Sequence, residues 1–99
     1  MVILRNPVHP GEVLKEDFLD EYDMSAGKLA QNLKVSRNRI ERLVRAERGM
    51  SPDTAMRLSK LFGTTPEFWL NLQRGYDLAM AAQDPALADD LNEILPLAS

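Results

Sequence analysis

Ninety-nine residues, 44% hydrophobic and 27% charged, make one domain of ordinary globular composition, and the lack of cysteine excludes a disulfide framework or a thiolate zinc site. The apolar stretch Val2–Leu4 is too short for a signal peptide, and no apolar run approaches the roughly 18 residues that span a bilayer, so a cytoplasmic protein is expected. A formal net charge of -3 describes only the average; charge-driven binding depends on local patches.

After Pro10, the segment GEVLKEDFLDEY puts Val13, Leu14, Phe18, Leu19 and Tyr22 at helical spacing and predicts a first helix. Its outer face is acidic: Glu12, Glu16, Asp17, Asp20, Glu21 and Asp23 are offset only by Lys15. The single histidine, His9, has too few neighbouring ligands for a metal site and reads as a loop residue ahead of this helix. Ser25 can cap a second helix that buries Leu29, Ala30 and Leu33. Ser36 can cap a third, with Ile40, Leu43 and Val44 on one stripe and Gly49 as its stop.

Ser51 and Pro52 open a fourth helix with Ala55, Leu58, Leu61 and Phe62 as its buried stripe. Thr65 and Pro66 repeat that start signal for the longest segment, in which Phe68 and Leu72 are expected in the core and Trp69 at its edge. From Asp84 onward there are four acids and no base, and Leu87, Leu91, Ile94 and Leu95 are spaced for a weak amphipathic helix with little to bury against. The expectation is an all-α chain of five main helices: a domain over residues 1–83, then an acidic tail or short extra helix over 84–99.

Charge is sorted along this chain. The window Lys34–Arg48, KVSRNRIERLVRAER, holds six of the twelve basic residues and only two acids, so it carries +4 while the other 84 residues carry -7. It includes the third predicted helix, and two short helices a few residues apart form the pattern of a helix-turn-helix. If Ile40, Leu43 and Val44 point inward, Asn38, Glu41, Arg42 and Arg45 face outward, at about 100° per residue. Arg can pair bidentately with guanine and Asn with adenine in the major groove, so Arg37, Asn38 and Arg42 are the candidates for reading bases. Lys28, Ser36, Arg39, Arg45 and Arg48 are the candidates for holding phosphates. The plainer alternative is a solvated face, with Glu41 pairing to Arg45 one turn on.

The run from Leu29 to Ala81, with HPGEVLKEDFL before it, resembles the Xre/Cro (lambda-repressor-like) helix-turn-helix in the form carried by HigA antitoxins. That resemblance covers about residues 7 to 83. It implies a dimeric, cytoplasmic repressor that binds a palindromic operator at its own promoter and neutralises a HigB-like mRNA endonuclease toxin. It also points to the C-terminal helices for self-association, which makes Trp69 and Tyr76 candidate dimer anchors. An mRNA endonuclease is expected to be basic, so Glu16, Asp17 and Asp20 are candidate toxin contacts, as is the acidic tail. No enzymatic constellation and no cofactor or metal site is expected. Two alternatives remain open: a stand-alone regulator without a toxin, and an interaction module that no longer binds DNA. Lys34 occupies the turn position often held by glycine in such motifs, which requires either a positive φ at a cost of about 1 kcal/mol or a different turn.

Overall fold

Short polar side chains start almost every helix of this protein. The computed structural model describes residues 7–98, and the Val2–Leu4 stretch lies outside them. Helix α1 (Pro10–Val13) is capped by His9, whose Nδ1 accepts from the Gly11 N–H at 2.9 Å. Helices α2 (Ala26–Leu33), α3 (Arg37–Val44), α4 (Pro52–Phe62) and α5 (Pro66–Ala82) begin at Ser25, Ser36, Ser51 and Thr65. Each of these hydroxyl oxygens accepts the backbone N–H three residues on, satisfying a donor that the helix itself leaves unpaired. Asp84 caps α6 (Pro85–Glu93) in a similar way, through the Ala86 N–H.

The ends are left-handed. Asp23, Lys34 and Ala46 have φ of 52°, 62° and 60°, and Gly63, which closes α4, has 76°. Behind each of the first three, the next N–H reaches back five residues: Met24 to the Leu19 carbonyl, Val35 to Ala30 and Glu47 to Arg42. This is the Schellman closure, which gives orphan carbonyls a partner. Lys34 therefore adopts the positive φ that its place in the turn demands.

All regular structure among the described residues is helical, as expected, but there are six α-helices rather than five. The first predicted helix is also not uniform. It runs on from α1 as a π-helical segment, Leu14–Leu19, in which the Asp20 N–H bonds the Lys15 carbonyl at 2.8 Å. The wider turn brings Leu14 and Leu19, five residues apart, into the core together, while Tyr22 stays exposed.

The core comprises Leu14, Leu19, Leu29, Ala30, Leu33, Ile40, Leu43, Met50, Ala55, Leu58 and Trp69. Trp69 corrects the expectation for α5: it is completely buried, whereas Phe68 is 39% exposed. The inward stripe of α5 runs through Trp69, Leu72, Gln73 and Tyr76, about one residue out of phase with the stripe expected from Phe68. Trp69 Nε1 donates to Thr64 Oγ1 at 2.8 Å, and Phe18 and Phe68 lie against its ring, each with centroids 5.0 Å away. Burial this complete leaves Trp69 no surface with which to anchor a partner. Leu61, also expected inside, is 40% exposed.

Gly11 is a close-approach residue. A Cβ there would collide with the Leu43 carbonyl oxygen, so only glycine lets α1 lie against the end of α3. At the other end, α5 buries only Trp69 and α6 buries nothing, and the molecule extends 52 Å along its long axis against 24 and 22 Å across.

Candidate nucleic-acid interface

The α2–turn–α3 unit places the basic window on the surface. Ile40 and Leu43 are buried and Val44 half-buried, so the opposite side of α3 faces solvent, as the expected stripe requires. Asn38, Arg42 and Arg45 are exposed there. Arg37 sits at the first turn with its side chain 72% exposed. It lies along α2, where a Cβ on Gly27 would be 3.6 Å from its Cδ, and this sets it beside the Lys28 region of α2. Its Nε also donates to Glu41 at 3.3 Å. Glu41 thus pairs with Arg37, one turn before it, rather than with Arg45. An exposed pair of this kind is worth only a few tenths of a kcal/mol, so Arg37 can exchange it for another acceptor at little cost.

Ser36 Oγ already accepts the Arg39 N–H, and its own hydroxyl hydrogen stays available to an anion at the start of α3. Lys28 and Arg45 are exposed, and Arg48 is half-buried. Arg39 behaves differently. Its side chain is only 21% exposed, its Nε donates to Thr54 Oγ1 at 3.1 Å, and its Nη2 donates to both Thr54 and Asp53. Arg39, a phosphate candidate from the sequence, thus has its guanidinium turned towards the start of α4, where a buried hydroxyl and a carboxylate receive it.

Asp53 is shared. It also accepts from Arg57 Nε at 2.7 Å, and Arg57 Nη1 donates to the Leu33 carbonyl at the end of α2, at 2.8 Å. These hydrogen bonds, from Arg57 first and Arg39 second, hold the Asp53 carboxyl below its ordinary pKa. One carboxylate and two arginines therefore tie α2, α3 and α4 together. The sequence alone does not signal this network. The spacing of Asp53 and Arg57 is visible there as an i,i+4 pair, but nothing local announces a partner fourteen residues earlier.

His9 is more than a loop residue. It is buried, its ring meets Tyr76 edge-on with centroids 4.8 Å apart, and its Nδ1 is held as an acceptor by Gly11. Desolvation lowers its pKa, against the opposing pull of Asp77, the Arg48 backbone and Glu12. Tyr76, a candidate dimer anchor, is half-buried and spends its ring on His9. Glu16, Asp17 and Asp20, the candidate toxin contacts, are exposed, and Asp20 pairs with Lys15 at 3.3 Å. No helix among the described residues is long and apolar enough to cross a membrane.

Comparison with known proteins agrees with this geometry. The helix-turn-helix family model matches residues 14–69. Virulence-associated protein I of Dichelobacter nodosus is 46% identical over 92 residues, covering 93% of this chain and 82% of that protein. Antitoxin HigA-1 of Vibrio cholerae is 39% identical over 74 residues, covering 75% of this chain and 70% of its own. A Pseudomonas aeruginosa antitoxin HigA, solved with the higBA promoter, superposes with a TM-score of 0.86 at 45% identity, covering 93% of this chain and 99% of that one. Two of these three are named antitoxins, and one of those was solved with promoter DNA. With its capped α2–α3 unit and basic outer face, the chain belongs to the Xre-type helix-turn-helix family, the family of the HigA antitoxins it resembles.

Proposed function

We propose that this protein is the antitoxin of a type II toxin-antitoxin module: a cytoplasmic, dimeric repressor that binds the operator of its own operon and neutralises a HigB-like mRNA endonuclease. The observation that carries the reading is the exposed Arg37–Asn38–Arg42 edge of α3 in a chain that superposes on a HigA solved with promoter DNA. α3 enters the major groove, where these three side chains meet base edges. Lys28, Ser36, Arg45 and Arg48 hold the flanking phosphates, while Arg39 keeps α3 in position. A symmetric dimer reads two half-sites about one helical turn, roughly 34 Å, apart. The acids Glu16, Asp17 and Asp20 offer a basic toxin a complementary surface.

A gel shift on the DNA upstream of the gene tests the first half of this reading. The parent chain binds that DNA in preference to scrambled DNA, and Arg37→Ala and Asn38→Ala lose preference at particular base pairs, about 1–3 kcal/mol for each good contact. Variants that discriminate as well as the parent would refute the base-reading assignment. Co-purification with the product of an adjacent gene tests the second half, and a stand-alone regulator brings no such partner down.

A further inference from the structure

A groove of about 460 Å³ opens between the end of α2 and the outer side of α4, apart from the α3 face. Its apolar lining is Leu33, Met56 and Leu61, and the last two are 63% and 40% exposed. Its polar lining includes Lys34, Arg57 and Lys60. Arg57 is already engaged by Asp53 and the Leu33 carbonyl, but Lys34 and Lys60 form no ion pair among the described residues. A groove with leucine and methionine below and free ammonium groups above suits a short segment that is both apolar and acidic.

The chain carries one such segment. Beyond α5, Asp84, Asp89, Asp90 and Glu93 are the only charged residues. Leu87 and Leu91 lie on one stripe of α6, followed by Ile94, Leu95 and Leu97, and all five are exposed. Asp90 flanks the Leu87–Leu91 stripe. Only Gln83 and Asp84 join α5 to α6, so α6 begins where α5 ends, on an arm that extends the molecule to 52 Å. In this chain α6 buries nothing and none of its residues lines the groove, so its apolar stripe is not seated there.

We propose that the groove receives the α6 segment of a second copy, so that two chains exchange their acidic arms and each covers the other's Met56 and Leu61. This deepens the dimer of the proposed function and rests on that reading. It also gives Lys34 a purpose. The left-handed turn puts a cation at the rim of the groove, where glycine would relieve the backbone but leave one acid of the arm without a partner.

The test is charge exchange, read as the dimerisation constant of full-length chains by sedimentation at low salt. One variant reverses the groove, Lys34→Glu with Lys60→Glu; the other reverses the arm, Asp90→Lys with Glu93→Lys. Each alone self-associates at least about tenfold more weakly than the parent, because like charges then face each other. Mixed in equal amounts they form a heterodimer of near-parental strength, since both contacts regain opposite signs, and this recovery also shows that both variants are folded. If both variants dimerise as the parent does, the dimer stands but the groove is not its seat. Weakened variants that gain nothing on mixing exclude the exchange as well. A monomeric parent removes the dimer reading itself, and the exchange with it.

Discussion

Three of the four left-handed helix ends carry side chains, and they are not equally strained. Asp tolerates this conformation better than most residues because its side chain can hydrogen-bond locally, and Lys34 stands on the groove rim. Ala46 has neither excuse: it is exposed, at φ 60°, and closes α3 with nothing but a methyl group. Ala46→Gly should therefore raise stability by roughly 0.5–1 kcal/mol, the relief of strain exceeding the extra freedom glycine gives the unfolded chain. Thermal denaturation should show a Tm a few degrees higher, and an unchanged or lower Tm would mean that the turn is not strained.

His9 makes a second prediction at this scale. Its folded pKa lies below the ordinary 6.5, because burial and its role as acceptor for Gly11 both favour the neutral ring. The unfolded chain binds the proton more tightly, so the contribution of His9 is fully present above pH 6.5 and is lost as pH falls from there through the lowered folded value. Asp53, also depressed, keeps its contribution until pH falls below its ordinary 3.8. Stability should thus decline in two separate windows on acidification. Asn can cap α1 without titrating, so His9→Asn should abolish the decline just below pH 6.5 and leave the Asp53 limb intact. Tm measured against pH for both chains decides it.

Among elements, what acts locally is legible in the sequence, and what depends on distant chain segments is not. The caps at Ser25, Ser36, Ser51 and Thr65 were visible because a cap acts within three residues. The α3 stripe was visible because Ile40, Leu43 and Val44 admit one helical phase. In α5, Phe68 and Trp69 are both large and adjacent, so pattern alone could not choose between them. The choice falls to Phe18 and Thr64, which receive the indole ring and its N–H. The π-helical turn at Leu14–Leu19 was hidden for a similar reason, since the core selects it over the ordinary helical phase.

Arg39 shows the same limit at the site. As a basic residue on a basic helix it resembled its neighbours, and only the start of α4 sets it apart. Its hydrogen bonds join α3 to the start of α4, so Arg39→Ala should lower Tm while leaving the salt dependence of operator binding nearly unchanged. Arg45→Ala should do the reverse, reducing the slope of log K against log salt by about 0.9 for each phosphate it ceases to neutralise. Equal effects of the two variants on the slope would return Arg39 to the phosphate-holding group.

At the scale of the whole molecule, an acidic protein can bind an acidic polymer because charge acts over short distances. At physiological salt the Debye length is about 8 Å, while this molecule is 52 Å long and more than 20 Å thick, so an acid more than a Debye length or two from α3 contributes little to the field at its basic face. Whether the acids of the Leu14–Leu19 region and the basic face of α3 act separately is then a matter of range, which substitution tests. Replacing Glu16, Asp17 and Asp20 by Gln, Asn and Asn should leave operator affinity within about twofold at physiological salt, and strengthen it only at low ionic strength, where the Debye length grows to roughly 30 Å. The same variant should associate more slowly with a basic toxin, because it is complementary charge that steers the encounter. Operator titrations at two salt concentrations, set beside association rates with the co-purified partner, separate the effects. Equal loss on both ligands would mean that Glu16, Asp17 and Asp20 support the fold rather than present a surface, and toxin association at the parental rate would move the toxin contact elsewhere on the molecule.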